Sequence, residues 1–181
     1  MPAYVVALPE LSDEDREYVG ELRARHDAAQ HRLVPPHVTL VFGTEEITAS
    51  AVFAHVVDAA AAFGPFECVF REALVVRDPL KATYDVFLVP EEGRDELDRL
   101  HDALYVGVLE SELRPEIAYV PHMTVARFES LAEAQALAAT IAAHGLPIRA
   151  SIGRLDVLCG AGAGIVTAGR VWLSSEAQQA S

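Results

Sequence analysis

Basic residues are scarce in this chain. Fourteen Lys and Arg stand against 27 Asp and Glu in 181 residues, a formal net charge of −13. That balance opposes capture of a long polyanion by broad attraction and confines any nucleic-acid contact to a local site. Cysteine is nearly absent: Cys68 and Cys159 stand apart with no CxxC pair, which leaves no disulfide framework and makes two buried, reduced thiols the expectation. No apolar run approaches the ~20 residues of a membrane span. The opening MPAYVVALPELSDEDRE lacks the basic-then-apolar order of a secretory leader, so the expectation is a cytoplasmic protein with no membrane partner.

Several catalytic signatures are also missing. There is no HExxH, no Gly-x-Ser-x-Gly and no phosphate-cradling G-x-x-x-x-G-K-[ST]. The Gly-rich CGAGAGIV starting at Cys159 has no Lys after it and reads as a hairpin loop. DPLKA at 78–82 reads as another turn, with Lys81 an unspecific candidate for phosphate contact. The acidic stretches SDEDREYVGE and PEEGRDELDR read as solvated helix faces or helix N-termini.

What is present is a 51% hydrophobic chain of single-domain length that writes one phrase twice: PPHVTLVF from Pro35 and VPHMTVARF from Val120. Alternating apolar residues predict strands at 3–8, 37–42, 83–89 and 122–128, with others at 66–76, 148–158 and 165–173. Helices are predicted from Ser12 with Tyr18, Leu22, Arg25/His26, Ala29 and Leu33 near one face, at 48–63, at 93–108 with Leu97, Leu100, Leu104 and Val108 in register, and from Ser130 to a stop at Gly145 and Pro147. In order these elements describe an internal duplication within one domain, 1–181, with pseudo-repeats at 3–76 and 83–158 and a final strand at 165–173. Tyr4-x-Val6-x-Leu8 returns as Tyr84-x-Val86-x-Leu88, and Pro9-Glu10 as Pro90-Glu91.

In a strand, residues two apart share a face. His37 and Thr39 therefore point one way while Val38, Leu40 and Phe42 point the other, and His122 and Thr124 likewise oppose Met123 and Val125. The apolar sides can pack beneath helices, which leaves the polar pairs for an open face or cleft.

The paired tetrads His37-Val38-Thr39-Leu40 and His122-Met123-Thr124-Val125 resemble the signature of the two-histidine phosphoesterases, and within them the bacterial 2′-5′ RNA ligase/cyclic phosphodiesterase group. The resemblance covers nearly the whole chain. It implies an α+β, bilobal duplicated fold with two mainly antiparallel sheets facing a central groove and helices outside. Both His and both Thr would lie on the groove floor. It also implies phosphate binding by Arg127, five positions after His122, although strict alternation puts Arg127 on the far face unless a bulge or twist brings it round. The equivalent position after His37 is Phe42.

The chemistry suits these residue types. Opening a 2′,3′-cyclic phosphate needs one group to take a proton from water and another to give one to the departing ribose oxygen, and imidazole can do either near neutral pH. Thr39 and Thr124 can donate to the nonbridging oxygens. The expectation is a metal-independent phosphodiesterase with catalytic His37 and His122, substrate-binding Thr39, Thr124 and Arg127, and no cofactor. The reverse reaction would give 2′-5′ ligation. Its partner would be a small cyclic nucleotide or an RNA terminus carrying the cyclic phosphate; no protein partner is indicated. His26, His31, His55, His101 and His144 have no matching context and read as surface or packing residues. A noncatalytic RNA-end or nucleotide binder, and a hydrolase with zinc on His37, His122 and a carboxylate, are the alternatives.

Overall fold

The computed structural model describes residues 2–78, 81–162 and 164–174. Pro79 and Leu80 of the DPLKA turn lie outside them. The strands are β1 (Ala3–Leu11), β2 (Val38–Thr44), β3 (Phe66–Arg77), β4 (Tyr84–Glu92), β5 (Met123–Phe128), β6 (Ile148–Ala161) and β7 (Gly164–Trp172); the helices are α1 (Asp13–His26), α2 (Ala28–Leu33), α3 (Ala49–Ala60), α4 (Arg94–Leu104) and α5 (Leu131–His144). Side-chain oxygens of Ser12, Thr48 and Ser130 accept from a backbone N–H three residues on and so fix the starts of α1, α3 and α5. Among the described residues no helix is long and apolar enough to cross a membrane.

Two helices are shorter than the periodicity predicts. The first breaks at Asp27, whose φ of −150° is not helical, so Leu33 belongs to α2 and is 37% exposed rather than on a buried face. The third stops at Leu104. A 3-10 turn at Gly107–Glu112 comes next, burying Leu109 and leaving Val108 out.

All strand pairs are antiparallel, in the order β2-β1-β6-β3-β4-β5 with β7 also on β6. The order reads the same from either end when β1 exchanges with β4, β2 with β5 and β3 with β6. The expected pair of separate sheets is instead one hydrogen-bonded sheet of seven strands. The join is β6: its first residues, Ile148–Ile152, pair with β3, and from Arg154 on the same edge pairs with β7. Helices α3 and α4 pack on the β2, β6 and β7 side, and α1 and α5 on β3, β4 and β5. One apolar core runs under both halves and includes Val5, Val38, Leu40, Val86, Leu88, Met123 and Val125. Cys68 and Cys159 are buried, free thiols, and burial pushes the Cys68 thiol up to about 12.

Candidate active site

A proline stands immediately before each catalytic-candidate histidine and shapes the turn into the strand. The residues before Pro36 and Pro121 are held extended, and their carbonyls meet the imidazoles: His37 Nδ1 lies 2.8 Å from the Pro35 carbonyl and His122 Nδ1 lies 2.6 Å from that of Val120. A carbonyl can only accept, so Nδ1 carries the proton in both rings. Neither Nε2 has a hydrogen-bond partner among the described residues. The two histidines therefore share one tautomer and one anchoring geometry.

The alternation expected of the two strands holds for the first residues. Val38, Leu40, Met123 and Val125 are fully buried, while Thr39 and Thr124 are half-buried on the opposite face with hydroxyls free of other described residues. Both strands then break parity at the same place. On β1, Val6 faces Thr39 and Val5 faces Val41, so Leu40 is an extra residue. On β4, Phe87 faces Thr124 and Val86 faces Ala126, so Val125 is extra. Each bulge stands three positions after its His, and each buries two consecutive residues, Leu40-Val41 and Val125-Ala126. The result is that Phe42 and Arg127 turn onto the same face as the threonines. The bulge that Arg127 needed is there, and Arg127 lines the cavity.

The bulges also set the register between the halves. They relate β1 to β4 by 81 residues, the spacing of Pro9-Glu10 to Pro90-Glu91, whereas Tyr4 to Tyr84 is 80. The Tyr-x-Val-x-Leu echo is thus one residue out. Val6 and Leu8 pack with Val34 and Leu158 in a separate small cluster, while Val86 and Leu88 face the main core.

The cavity holds about 460 Å³ and is lined by Thr39, Thr124, His122 and Arg127, among others. His37 is not among its lining side chains, but it stands near enough for the charge of His122 to depress its proton affinity. Phe87 stacks on His122 with ring centroids 3.6 Å apart. The segment before β5 forms the other wall, where the Tyr119 hydroxyl donates to the Thr39 carbonyl at 3.0 Å and its ring stacks on His101 at 3.8 Å. His101 therefore packs in the cavity wall, more specifically than the surface or packing role its sequence context suggested. Tyr105 Oη accepts from the Phe42 N–H at 3.1 Å.

Four residues that sequence reasoning passed over organise this site. Asp85, directly across from Arg127, takes its guanidinium in a fork of 2.7 and 2.9 Å. A lone acid in the apolar run TYDVFLV was the signal for it. Arg23 of α1 is 2% exposed; it donates to the Val34 carbonyl at 2.8 Å and so braces the chain leading into His37. Arg23 Nη1 has no partner among the described residues, and nothing in a solvated-looking helix announced it. Arg77 and Arg114 line the cavity with Arg127, against only two lining carboxylates, Asp78 and Asp85. The cavity is thus locally basic in an acidic protein.

Burial pushes both imidazoles below their ordinary value of 6.5. For His37 the charges of Arg23 and His122 push the same way, while for His122 Asp85 pushes back up. Because the unfolded chain binds these protons more readily, the neutral rings support the fold above pH 6.5, and that support is lost as pH falls from there through the folded-state values. Melting temperature should therefore drop further between pH 7.5 and 5.5 in the native protein than in a His37→Asn/His122→Asn variant. Parallel curves would contradict it.

Comparisons with known proteins show the family of this chain and agree with its fold. The profile of the 2′-5′ RNA ligase superfamily matches residues 9–163, and the chain belongs to that superfamily, the two-histidine phosphoesterases. A Bacillus licheniformis protein named as a phosphoesterase is 31% identical over 114 residues; the match spans 62% of this chain and 63% of that relative's length. Among solved structures, Escherichia coli LigT superposes with a TM-score of 0.53 at 19% identity, covering 97% of this chain and 99% of LigT. Kluyveromyces marxianus Usb1 gives 0.56 at 11% identity, covering 92% and 96%. LigT has also been solved with 3′-AMP.

Proposed function

We propose that the protein opens 2′,3′-cyclic phosphates at a nucleotide or RNA terminus by two-histidine acid–base catalysis, with 2′-5′ ligation as the reverse of the same chemistry. The observation that carries this reading is the duplicated anchor: two imidazoles, each with Nδ1–H tied to a carbonyl two residues back and Nε2 left free. The palindromic strand order and the matched bulges support reading the chain as two pseudo-repeats, each contributing one His and one Thr.

In this mechanism one Nε2 takes a proton from water as the water oxygen bonds to phosphorus. The other imidazole, protonated, gives its Nε2 proton to the ribose oxygen as the P–O bond breaks, leaving a phosphomonoester. Arg23 beside His37 disfavours a proton there, whereas Asp85 favours one on His122. Burial is the larger effect on both rings and lowers both, so these charges do not choose between them: one is the base and the other the acid in the hydrolytic direction. The Thr39 and Thr124 hydroxyls and Arg127 meet the nonbridging oxygens. A plot of kcat/KM against pH should be bell-shaped, and a profile with a single limb would overturn the paired roles. Saturable binding of a cyclic nucleotide without turnover would favour the noncatalytic binder.

The threonines give a separate test. Thr39→Val and Thr124→Val keep the shape but remove the donor, so turnover should fall about tenfold or more for each with little change in melting temperature. Lost stability with unchanged turnover would make the hydroxyls structural instead.

A further inference from the structure

We propose that Arg77 and Arg114 form a second anion subsite in this cavity, so that the preferred substrate carries another phosphate on the 5′ side of the nucleoside bearing the cyclic phosphate. The inference rests on the phosphodiesterase reading and narrows its substrate class.

Charge is the first reason. With 27 acidic residues available, four strand arginines, Arg71, Arg127, Arg154 and Arg170, each hold a carboxylate, while the exposed Arg149 of β6, outside the cavity, holds none among the described residues. Arg77 and Arg114 line the cavity and have no ion-pair partner among the described residues. The carboxylates that share the lining are engaged: Asp85 with Arg127, and Asp78 through an Oδ1 that accepts from the Lys81 N–H at 3.1 Å. Arg127 cannot serve two phosphates, because Asp85 occupies its Nε and Nη2.

Position is the second reason. Along β3, Leu74 faces Phe87, the ring that stacks on His122; Val76 faces Asp85; Arg77 comes next, facing Tyr84. At ~3.4 Å per residue, Arg77 stands about 10 Å along the strand from the Phe87 row. That is about one nucleoside's length from the catalytic end, with the apolar side chains of Leu74 and Val76 between. Arg114 enters from the loop wall beside Leu113 and Ile117, in a segment fixed by the Ile117 N–H to the Arg114 carbonyl at 3.0 Å and by the Tyr119 tie to Thr39. A ligand would meet cations at both ends and apolar surface in the middle, as a nucleotide with a second phosphate requires.

The second phosphate could be the 5′-monoester of a mononucleotide or the internucleotide diester of RNA. Calorimetric titration of the full chain with adenosine 3′-monophosphate, adenosine 3′,5′-bisphosphate and the dinucleotide ApAp separates them. At least one of the two larger ligands should bind tenfold or more tighter than the 3′-monophosphate, equivalent to about 1.4 kcal/mol. A gain for the bisphosphate alone identifies the monoester, and a gain for ApAp alone the diester. In Arg77→Ala/Arg114→Ala, or in each single change if the double variant does not fold, that ratio should fall toward one, with Arg→Lys restoring part of it. Equal affinities in the native protein, or a ratio that survives both changes, would overturn this inference while leaving the phosphodiesterase reading standing. Failure of all three ligands to bind would overturn both.

Discussion

His37→Asn and His122→Asn should each lower turnover of a 2′,3′-cyclic nucleotide by about 10²–10⁴-fold while the protein stays folded. Asparagine is the informative replacement. Its side-chain amide can still donate to the Pro35 or Val120 carbonyl that now holds Nδ1, so the loop anchor is kept while the reactive Nε2 is lost. Alanine removes both and so mixes chemistry with loss of the anchor; at position 122 either replacement also removes the ring stacked on Phe87. The paired roles predict unequal pH behaviour as well. One of the two Asn variants should lose the acidic limb of the kcat/KM profile, which reports deprotonation of the base, and the other should lose the alkaline limb. Folded Asn variants with native turnover would remove both histidines from the reaction.

Arg127→Ala should cost both stability and activity, and the two losses can be separated. Asp85 has 9% of its side chain exposed and Arg127 has 26%. Removing the guanidinium strands a buried carboxylate, a change that costs about 3–5 kcal/mol for a fully buried pair. The partly wet Arg127 brings this to roughly 2–3 kcal/mol. Adding Asp85→Asn should return most of the stability, because the stranded charge is gone, but none of the phosphate contact. The double variant should therefore melt near the native temperature yet turn over at least tenfold more slowly. Native activity in that double variant would make the Arg127–Asp85 fork purely structural.

The threonines and their buried neighbours were legible because strand alternation is a local property: Thr39 and Thr124 and the apolar residues beside them needed only their own order, whereas His37 and His122 stand one residue before β2 and β5 and are oriented by the Pro35 and Val120 carbonyls. Arg127 was not legible in the same way. Its side is decided by a bulge at Val125, and a bulge exists only relative to the partner strand, here Val86 and Phe87. The same dependence undid the Tyr-x-Val-x-Leu echo, whose members match in letters and face opposite sides. The single sheet arises from the 14 residues of β6, long enough to pair with β3 and then with β7 along one edge; neither its partners nor its length as one strand is written locally. Arg23, Arg77 and Arg114 were hidden because an arginine on a helix, at a strand end or in a loop looks solvated until the tertiary fold shows what surrounds it.

The most direct test of the central claim is product analysis of a 2′,3′-cyclic nucleotide incubated with the protein in excess chelator. The two-histidine account expects a single phosphomonoester isomer to accumulate at an undiminished rate, with none formed by the His37→Asn/His122→Asn variant. Turnover abolished by the chelator and restored by a stoichiometric metal ion, or equal product from the double variant, would contradict it.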